Sequence, residues 1–188
     1  MNMPLVLFLG FGMTIAAVND FRTGKIPNLL TFPMILFGII YHSVMSGWNG
    51  LGFSFGGLIV GLCIFLVPYG MGAMGAGDAK LLGAAGAFLG PKGTIIVAVI
   101  CVLLGLIYAM TLLVVHRTYA RSFLQRCGIT IKTLFLTRQF IPIPPEEHEK
   151  QPLLRFALPI ALGTIIYIYL KLTGSNLIQD FLGFQFSL

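Results

Sequence analysis

The amino-acid sequence predicts an all-α, polytopic membrane protein built as a bundle of six transmembrane helices. Of its 188 residues, 57% are hydrophobic and only 10% are charged, whereas an average soluble domain is about 25% charged. Apolar runs near the length of a bilayer span also recur along the chain. A single soluble globule cannot bury this much apolar surface, so the composition excludes a soluble enzyme, a disordered chain and a secreted disulfide scaffold.

Six apolar runs are the candidate spans, and together they predict one integral membrane domain over residues 1–188. They are Met3–Val18, Leu29–Met45, Phe53–Met71, Ala79–Leu89, Thr94–Val115 and Leu153–Leu172. The fourth is short and consists largely of Ala and Gly, which predicts a thin helix packed inside the bundle rather than facing lipid. Gly57 and Gly61 give the third span a GxxxG face, which we interpret as a position of close helix packing.

The basic residues predict the orientation, because Lys and Arg accumulate in cytoplasmic loops. With six spans, all but Lys92 and Lys171 of the 12 basic residues fall on one side, which we expect to be cytoplasmic. Both termini then face outward. The net charge of +6 follows from this topology and does not indicate nucleic-acid binding. The long cytoplasmic loop, about 116–152, fits either a basic helix lying on anionic membrane lipids or a plain solvated loop.

Metal and disulfide chemistry are not indicated by the sequence. Cys63, Cys101 and Cys127 are far apart and form no CxxC pair, so they predict neither a disulfide framework nor a zinc site. The HExxH pattern of zinc proteases does not occur. We therefore expect no metal and no organic cofactor.

Two acidic residues are the candidates for chemistry, because Asp20 and Asp78 are the only acids before Glu146. Asp20 ends the first span and Asp78 opens the fourth, so the predicted topology places both at the cytoplasmic boundary. A carboxylate at the bilayer centre costs about 2.5–3.5 kcal/mol, and intramembrane acids are commonly functional. In aspartic proteases two carboxyls share one proton: one activates water while the other polarises the scissile carbonyl.

Other roles for these acids stay open on this evidence. Asp78 could be the N-cap of its helix, and Asp20 could be an interfacial residue beside Arg22. As a pair they could also carry protons in a coupled transporter, although we find no polar relay towards the opposite face.

The residues around the acids are informative. The segment from Asp20 to Asn28 reads D-F-R-T-G-K-I-P-N, and the segment from Met74 to Leu82 reads M-G-A-G-D-A-K-L-L. Pro27 suits the start of a helix, which Asn28 could cap. Gly75 and Gly77 permit close backbone approach beside Asp78. Lys80 would not face Asp78 on a helix, and we expect it to contact lipid head groups.

These two segments closely resemble the motifs of type IV prepilin peptidases, which are GxGD-type intramembrane aspartic proteases. The D-x-R…I-P-N pattern contains Asp20, and the G-x-G-D-x-K pattern contains Asp78. The sequence Leu158–Gly163 is also similar to the last helix of the family, so the resemblance covers most of the chain.

The resemblance implies an aspartic endopeptidase of the bacterial cytoplasmic membrane. Asp20 and Asp78 would be catalytic, and four residues would shape the loops around the substrate: Gly75, Gly77, Pro27 and Asn28. The implied partner is a prepilin, a pseudopilin or an Flp-type pilin, whose short leader is cleaved at the cytoplasmic interface.

One departure from the larger family members affects the expected activity. Those members carry an additional N-terminal cytoplasmic segment, often with paired CxxC motifs, and they also N-methylate the new pilin terminus. Here 19 residues precede Asp20 and no CxxC occurs. The sequence is more similar to the small members that serve Flp/Tad pili, so we expect leader cleavage without methyl transfer. A non-catalytic assembly subunit of a pilus or secretion system is a further alternative.

Overall fold

The computed structural model describes residues 3–70, 74–115 and 156–173, and these residues form four helices without any strand. Helix α1 is Met3–Thr23, α2 is Asn28–Gly70, α3 is Ala76–Val115 and α4 is Ala157–Leu172. The first three are long and apolar enough to cross a membrane, and α4 is a shorter apolar helix. The predicted all-α membrane class is therefore confirmed for the described residues.

Helix α2 is interrupted at Gly47, where the chain folds back on itself. Gly47 has φ 56° and ψ −136°, a left-handed backbone conformation that favours glycine. On either side of the break, the rings of His42 and Phe53 have their centroids 5.0 Å apart. A straight helix would hold the Cα atoms of these two residues about 16 Å apart. Helix α2 is therefore a hairpin of two helical segments.

Helix α3 has a similar break at Gly90, which has φ 72° and is followed by Pro91. Carbonyl groups near this break have no backbone N–H partner within the first helical segment. Side chains donate hydrogen bonds to them instead. His42 Nε2 donates to Phe88 O (3.1 Å) and Ser54 Oγ donates to Ala87 O (2.7 Å). Beyond the break, Thr94 Oγ1 would lie 2.9 Å from a Cβ on Gly86, although a straight helix would separate the Cα atoms of these two residues by about 12 Å. Helix α3 therefore also folds back.

The two breaks fall between predicted spans. Gly47 separates the second predicted span from the third, and Gly90 separates the fourth from the fifth. Four helices thus contain segments that correspond to the six apolar runs. Six complete membrane crossings remain a prediction, because by length and composition the described residues contain three candidate spanning helices.

The Ala- and Gly-rich first segment of α3 lies in the interior, as predicted. Every residue from Leu81 to Gly90 is buried. A Cβ on Gly57 would overlap the backbone carbonyl of Gly86, and one on Gly61 would come within 2.8 Å of the Gly83 backbone. The interpretation of Gly57 and Gly61 as packing positions is confirmed.

The chain divides into two compact units, residues 1–104 with 155–188, and residues 105–154. In the first unit α1 packs against α4. A Cβ added to Gly163 of α4 would lie 3.4 Å from backbone atoms of Val97 and Cys101, so α4 also contacts the second segment of α3. The described part of the second unit is the end of α3. The predicted loop 116–152 and the segment after Thr173 lie outside the described residues.

Candidate active site

Asp20 lies in the last turn of α1, and its own backbone takes part in ending the helix. Gly24 adopts φ 65°, and its N–H donates to the Asp20 carbonyl at 2.8 Å. This is the left-handed glycine ending common at helix C-termini. The Asp20 side chain is only 6% exposed. The turn thus holds a buried carboxyl where the chain leaves the helix.

The residues that follow are held by side-chain hydrogen bonds. Thr23 Oγ1 donates to Lys25 O at 3.1 Å and accepts from Lys25 N at 3.3 Å. Asn19 Nδ2 also donates to Lys25 O at 3.3 Å. Ser, Thr and Asn side chains stabilise tight turns in this way. The backbone beside Asp20 is therefore well defined.

Pro27 and Asn28 begin α2, as the sequence predicts, although their roles differ from the expectation. The Pro27 carbonyl accepts from the N–H groups of Leu30 (3.0 Å) and Thr31 (3.4 Å), which places Pro27 at the cap position. Asn28 is the first helical residue. Its side-chain oxygen instead accepts a hydrogen bond from Lys80 Nζ at 2.9 Å.

Asp78 is the third residue of α3, and the cap position belongs to Gly75. The Asp78 N–H donates to Gly75 O at 3.1 Å, and the Gly75 N–H donates back to Asp78 Oδ2 at 3.3 Å. An acid that reaches back to the cap N–H is half of a capping box. Asp78 is 8% exposed. Asp78 therefore stabilises the start of α3 through its Oδ2 atom. It does so from the first turn of the helix and not from the cap position.

The two acid-bearing segments contact each other at Gly77. A Cβ at Gly77 would come within 3.1 Å of the Ile26 Cβ, closer than most side-chain contacts allow. At Gly75 an added Cβ would meet Asp78 Oδ2 at an ordinary 3.5 Å. The close approach beside Asp78 that the sequence predicts is therefore required at Gly77 and not at Gly75.

Both acids line one cavity of about 290 Å³. Its lining residues come from the two motif segments and are Asp20, Gly24, Lys25, Ile26, Gly75, Ala76, Gly77 and Asp78. The carboxylates of Asp20 and Asp78 lie close enough for their charges to repel each other. Four of the six predicted site residues thus meet at the cavity, while Pro27 and Asn28 begin the adjoining helix.

A larger groove of about 670 Å³ follows the exposed face of α2 from Asn28 to Ile39. Its lining is almost wholly apolar and includes no carboxylate, so it offers no acid–base chemistry. Among the residues that the structure describes, no three His, Cys, Asp or Glu side chains cluster to hold a metal ion.

The expected contact of Lys80 with lipid head groups stays a prediction, and within the protein Lys80 has two partners. Its ammonium group binds Asn28 and also lies 5.7 Å from the centroid of the Phe32 ring, within the range of a cation–π interaction. The helical spacing correctly indicated that Lys80 does not face Asp78. Its partner lies on another helix, 52 positions away, which no local spacing reveals. Lys25, a basic residue of the cavity wall, was also missed, although it stands within the Asp20 motif.

A sequence model of the type IV leader peptidase family matches residues 7–110. The match covers more than half of the chain and includes both acids and every residue that lines their cavity. No curated protein and no solved structure matches the chain significantly.

Proposed function

Because the chain belongs to the type IV leader peptidase family, we propose that it is an aspartic prepilin peptidase with Asp20 and Asp78 as its catalytic pair. Family membership makes the protein a protease of the prepilin-peptidase type. The observation that carries the more specific proposal is the shared cavity of the two acids, since both are buried and lie on separate helices.

The proposed chemistry needs one proton shared between two neighbouring carboxyls. The ionised carboxyl takes a proton from water, and the water oxygen bonds to the scissile carbonyl carbon. The protonated carboxyl donates a hydrogen bond to the carbonyl oxygen and stabilises the charge that develops there. The carbon–nitrogen bond then breaks as the leaving nitrogen receives a proton. The Gly75 N–H, which donates to Asp78 Oδ2, would orient one carboxyl throughout.

The cavity also suits an extended peptide. One wall is a turn that ends in Ile26, and the other contains Gly75, Ala76 and Gly77, which carry at most a methyl group beside Asp78. Protease substrates are cut in extended form, because a helical backbone shields its carbonyl groups. We propose that the leader junction of a prepilin, either a pseudopilin or an Flp-type pilin, enters here while its apolar helix lies in the membrane.

The proposed location is the bacterial cytoplasmic membrane, with six crossings, one peptidase domain and the cavity towards the cytoplasm. The breaks at Gly47 and Gly90 support the additional crossings, since each converts one long helix into two segments. Asp78 precedes Gly90 by about 18 Å of helix, so the cavity lies at the end of this segment opposite the Gly90 break. The excess of basic residues on the cavity side predicts that this side is cytoplasmic.

Cleavage by the purified protein tests this proposal against its alternatives. The substrate is a synthetic prepilin with a short basic leader ahead of a ~20-residue apolar helix, mixed with the protein in detergent without any ion gradient. A peptidase shortens this substrate, whereas a proton-coupled transporter or a non-catalytic assembly subunit leaves it intact. An uncut substrate under these conditions would contradict the proposed function.

A further inference from the structure

The two walls of the cavity are joined at two points beyond the acids. Ile26 packs against Gly77, and Asn28 accepts a hydrogen bond from Lys80 at 2.9 Å. We propose that these two contacts form a clasp that sets the separation of Asp20 and Asp78, with Lys80 and Asn28 acting as positioning residues. This inference rests on the proposed catalytic role of the two acids.

The chain connects each half of the clasp directly to one acid. Asp20 lies in the last turn of α1, and Asn28 begins α2 after a short turn that is held by hydrogen bonds to Lys25. Lys80 lies in the same helix as Asp78, two residues further on. A shift of Asn28 relative to Lys80 therefore moves one cavity wall, and its acid, relative to the other.

The composition of the clasp favours a fixed geometry. A charged donor strengthens the hydrogen bond from Lys80 to the Asn28 amide oxygen, and Phe32, one turn along α2 from Asn28, lies beneath the same ammonium group at 5.7 Å. The ammonium group is thus held from two positions on the first turns of α2. At Gly77 an added Cβ would lie 3.1 Å from the Ile26 Cβ, so the two walls already pack closely at this point.

Kinetics distinguish positioning from general stabilisation. Lys80→Met removes the donor but keeps the unbranched stem, and we expect kcat to fall about 10- to 100-fold with KM little changed, because displaced carboxyls impair chemistry more than binding. Asn28→Ala should have the same effect, and the double variant should be no worse than either single variant.

Lys80→Arg and Asn28→Asp keep a donor and an acceptor and should retain most activity. Lys171, which is exposed at the end of α4, supplies the matched control Lys171→Met.

A distance measurement tests the clasp independently of cleavage. Nitroxide labels at Lys25→Cys and Ala76→Cys report on the two walls, in a background in which Cys63, Cys101 and Cys127 are replaced by Ala. We expect pulsed EPR to give a narrow distance distribution that broadens or shifts in Lys80→Met and in Asn28→Ala. An unchanged distribution in both variants would overturn the clasp, whether or not the protein cleaves prepilin. Absence of cleavage with the clasp intact would instead overturn the proposed function and leave the clasp as a purely structural contact.

Discussion

Asp20, in the last turn of α1, and Asp78, in the first turn of α3, line the same small cavity. Each is nearly inaccessible, at 6% and 8% exposed, and the two carboxyls are close enough to interact electrostatically. Helix capping explains part of this arrangement, because Asp78 accepts a hydrogen bond from the Gly75 N–H. Capping does not explain why a second buried acid lies beside it. The proposed catalytic role would account for both residues.

Replacing either acid by Asn separates catalysis from capping. Asn is close to Asp in size, and its amide oxygen can still accept from the Gly75 N–H, so Asp78→Asn should leave the helix start intact. Asn cannot exchange the proton that the chemistry requires. We therefore expect Asp20→Asn and Asp78→Asn each to abolish prepilin cleavage, measured by gel shift at matched membrane levels.

The double variant and a matched control complete this test. Members of one catalytic unit are strongly non-additive, so the double Asn variant should be no worse than either single one. Asp180→Asn changes the remaining aspartate of the chain and should leave cleavage unchanged. Normal processing by either single variant would end the catalytic-pair proposal and favour a transporter.

Reporter fusions test the membrane topology. We expect fusions after Lys25 and after Arg126 to report a cytoplasmic position, because all but two of the basic residues fall on that side of six spans. A fusion after Asn49, just beyond the break at Gly47, should report an external position. A cytoplasmic signal at Asn49 would show that α2 does not return across the membrane, and the six-span count would then be wrong.

Much of the fold follows from the sequence because a membrane chain shows its helices as apolar runs. The breaks at Gly47 and Gly90 lie in the short gaps between predicted spans, and the Ala- and Gly-rich fourth run is buried as predicted. The packing of Gly57 against Gly86 required the structure, because spacing identifies a small-residue face but not the helix that it meets.

The candidate site, like the fold, could be predicted only in part from the sequence. The positions of Asp20 and Asp78 at helix ends follow from the local sequence, and their resemblance to known motifs predicted that they belong together. The hydrogen bond between Lys80 and Asn28 did not follow, since it joins two helices whose separation depends on the whole fold. The capping role of Gly75 was also missed, because Asp78 itself is the more typical cap residue.

Close packing of the helices predicts a specific loss of stability. A Cβ at Gly57 would overlap the Gly86 carbonyl, so Gly57→Ala must push two helix backbones apart. Overpacking of this kind costs about 1–3 kcal/mol, which thermal unfolding in detergent should detect as a lower Tm. Gly52→Ala is the matched control, since Gly52 lies in α2 with no atom within 4 Å of the added Cβ. Equal Tm values for the two variants would contradict the close contact.

The contact between Ile26 and Gly77 predicts that cleavage depends on the space between these two residues. In Gly77→Ala the added methyl group comes within 3.1 Å of the Ile26 Cβ, so Ile26 must give way by a few tenths of an ångström, and we expect one cavity wall to shift together with its acid. We expect kcat to fall about tenfold or more, because small misplacements of reacting groups are costly.

Ile26→Ala alone removes outer atoms of the side chain but keeps its Cβ, whereas Ile26→Gly removes that atom. Adding Ile26→Gly to Gly77→Ala should therefore restore more activity than adding Ile26→Ala. Gly10→Ala, in α1 with no atom near the added Cβ, should cleave prepilin at the wild-type rate. A Gly77→Ala variant as active as Gly10→Ala would show that the two walls tolerate a wider separation and that their contact does not position the acids.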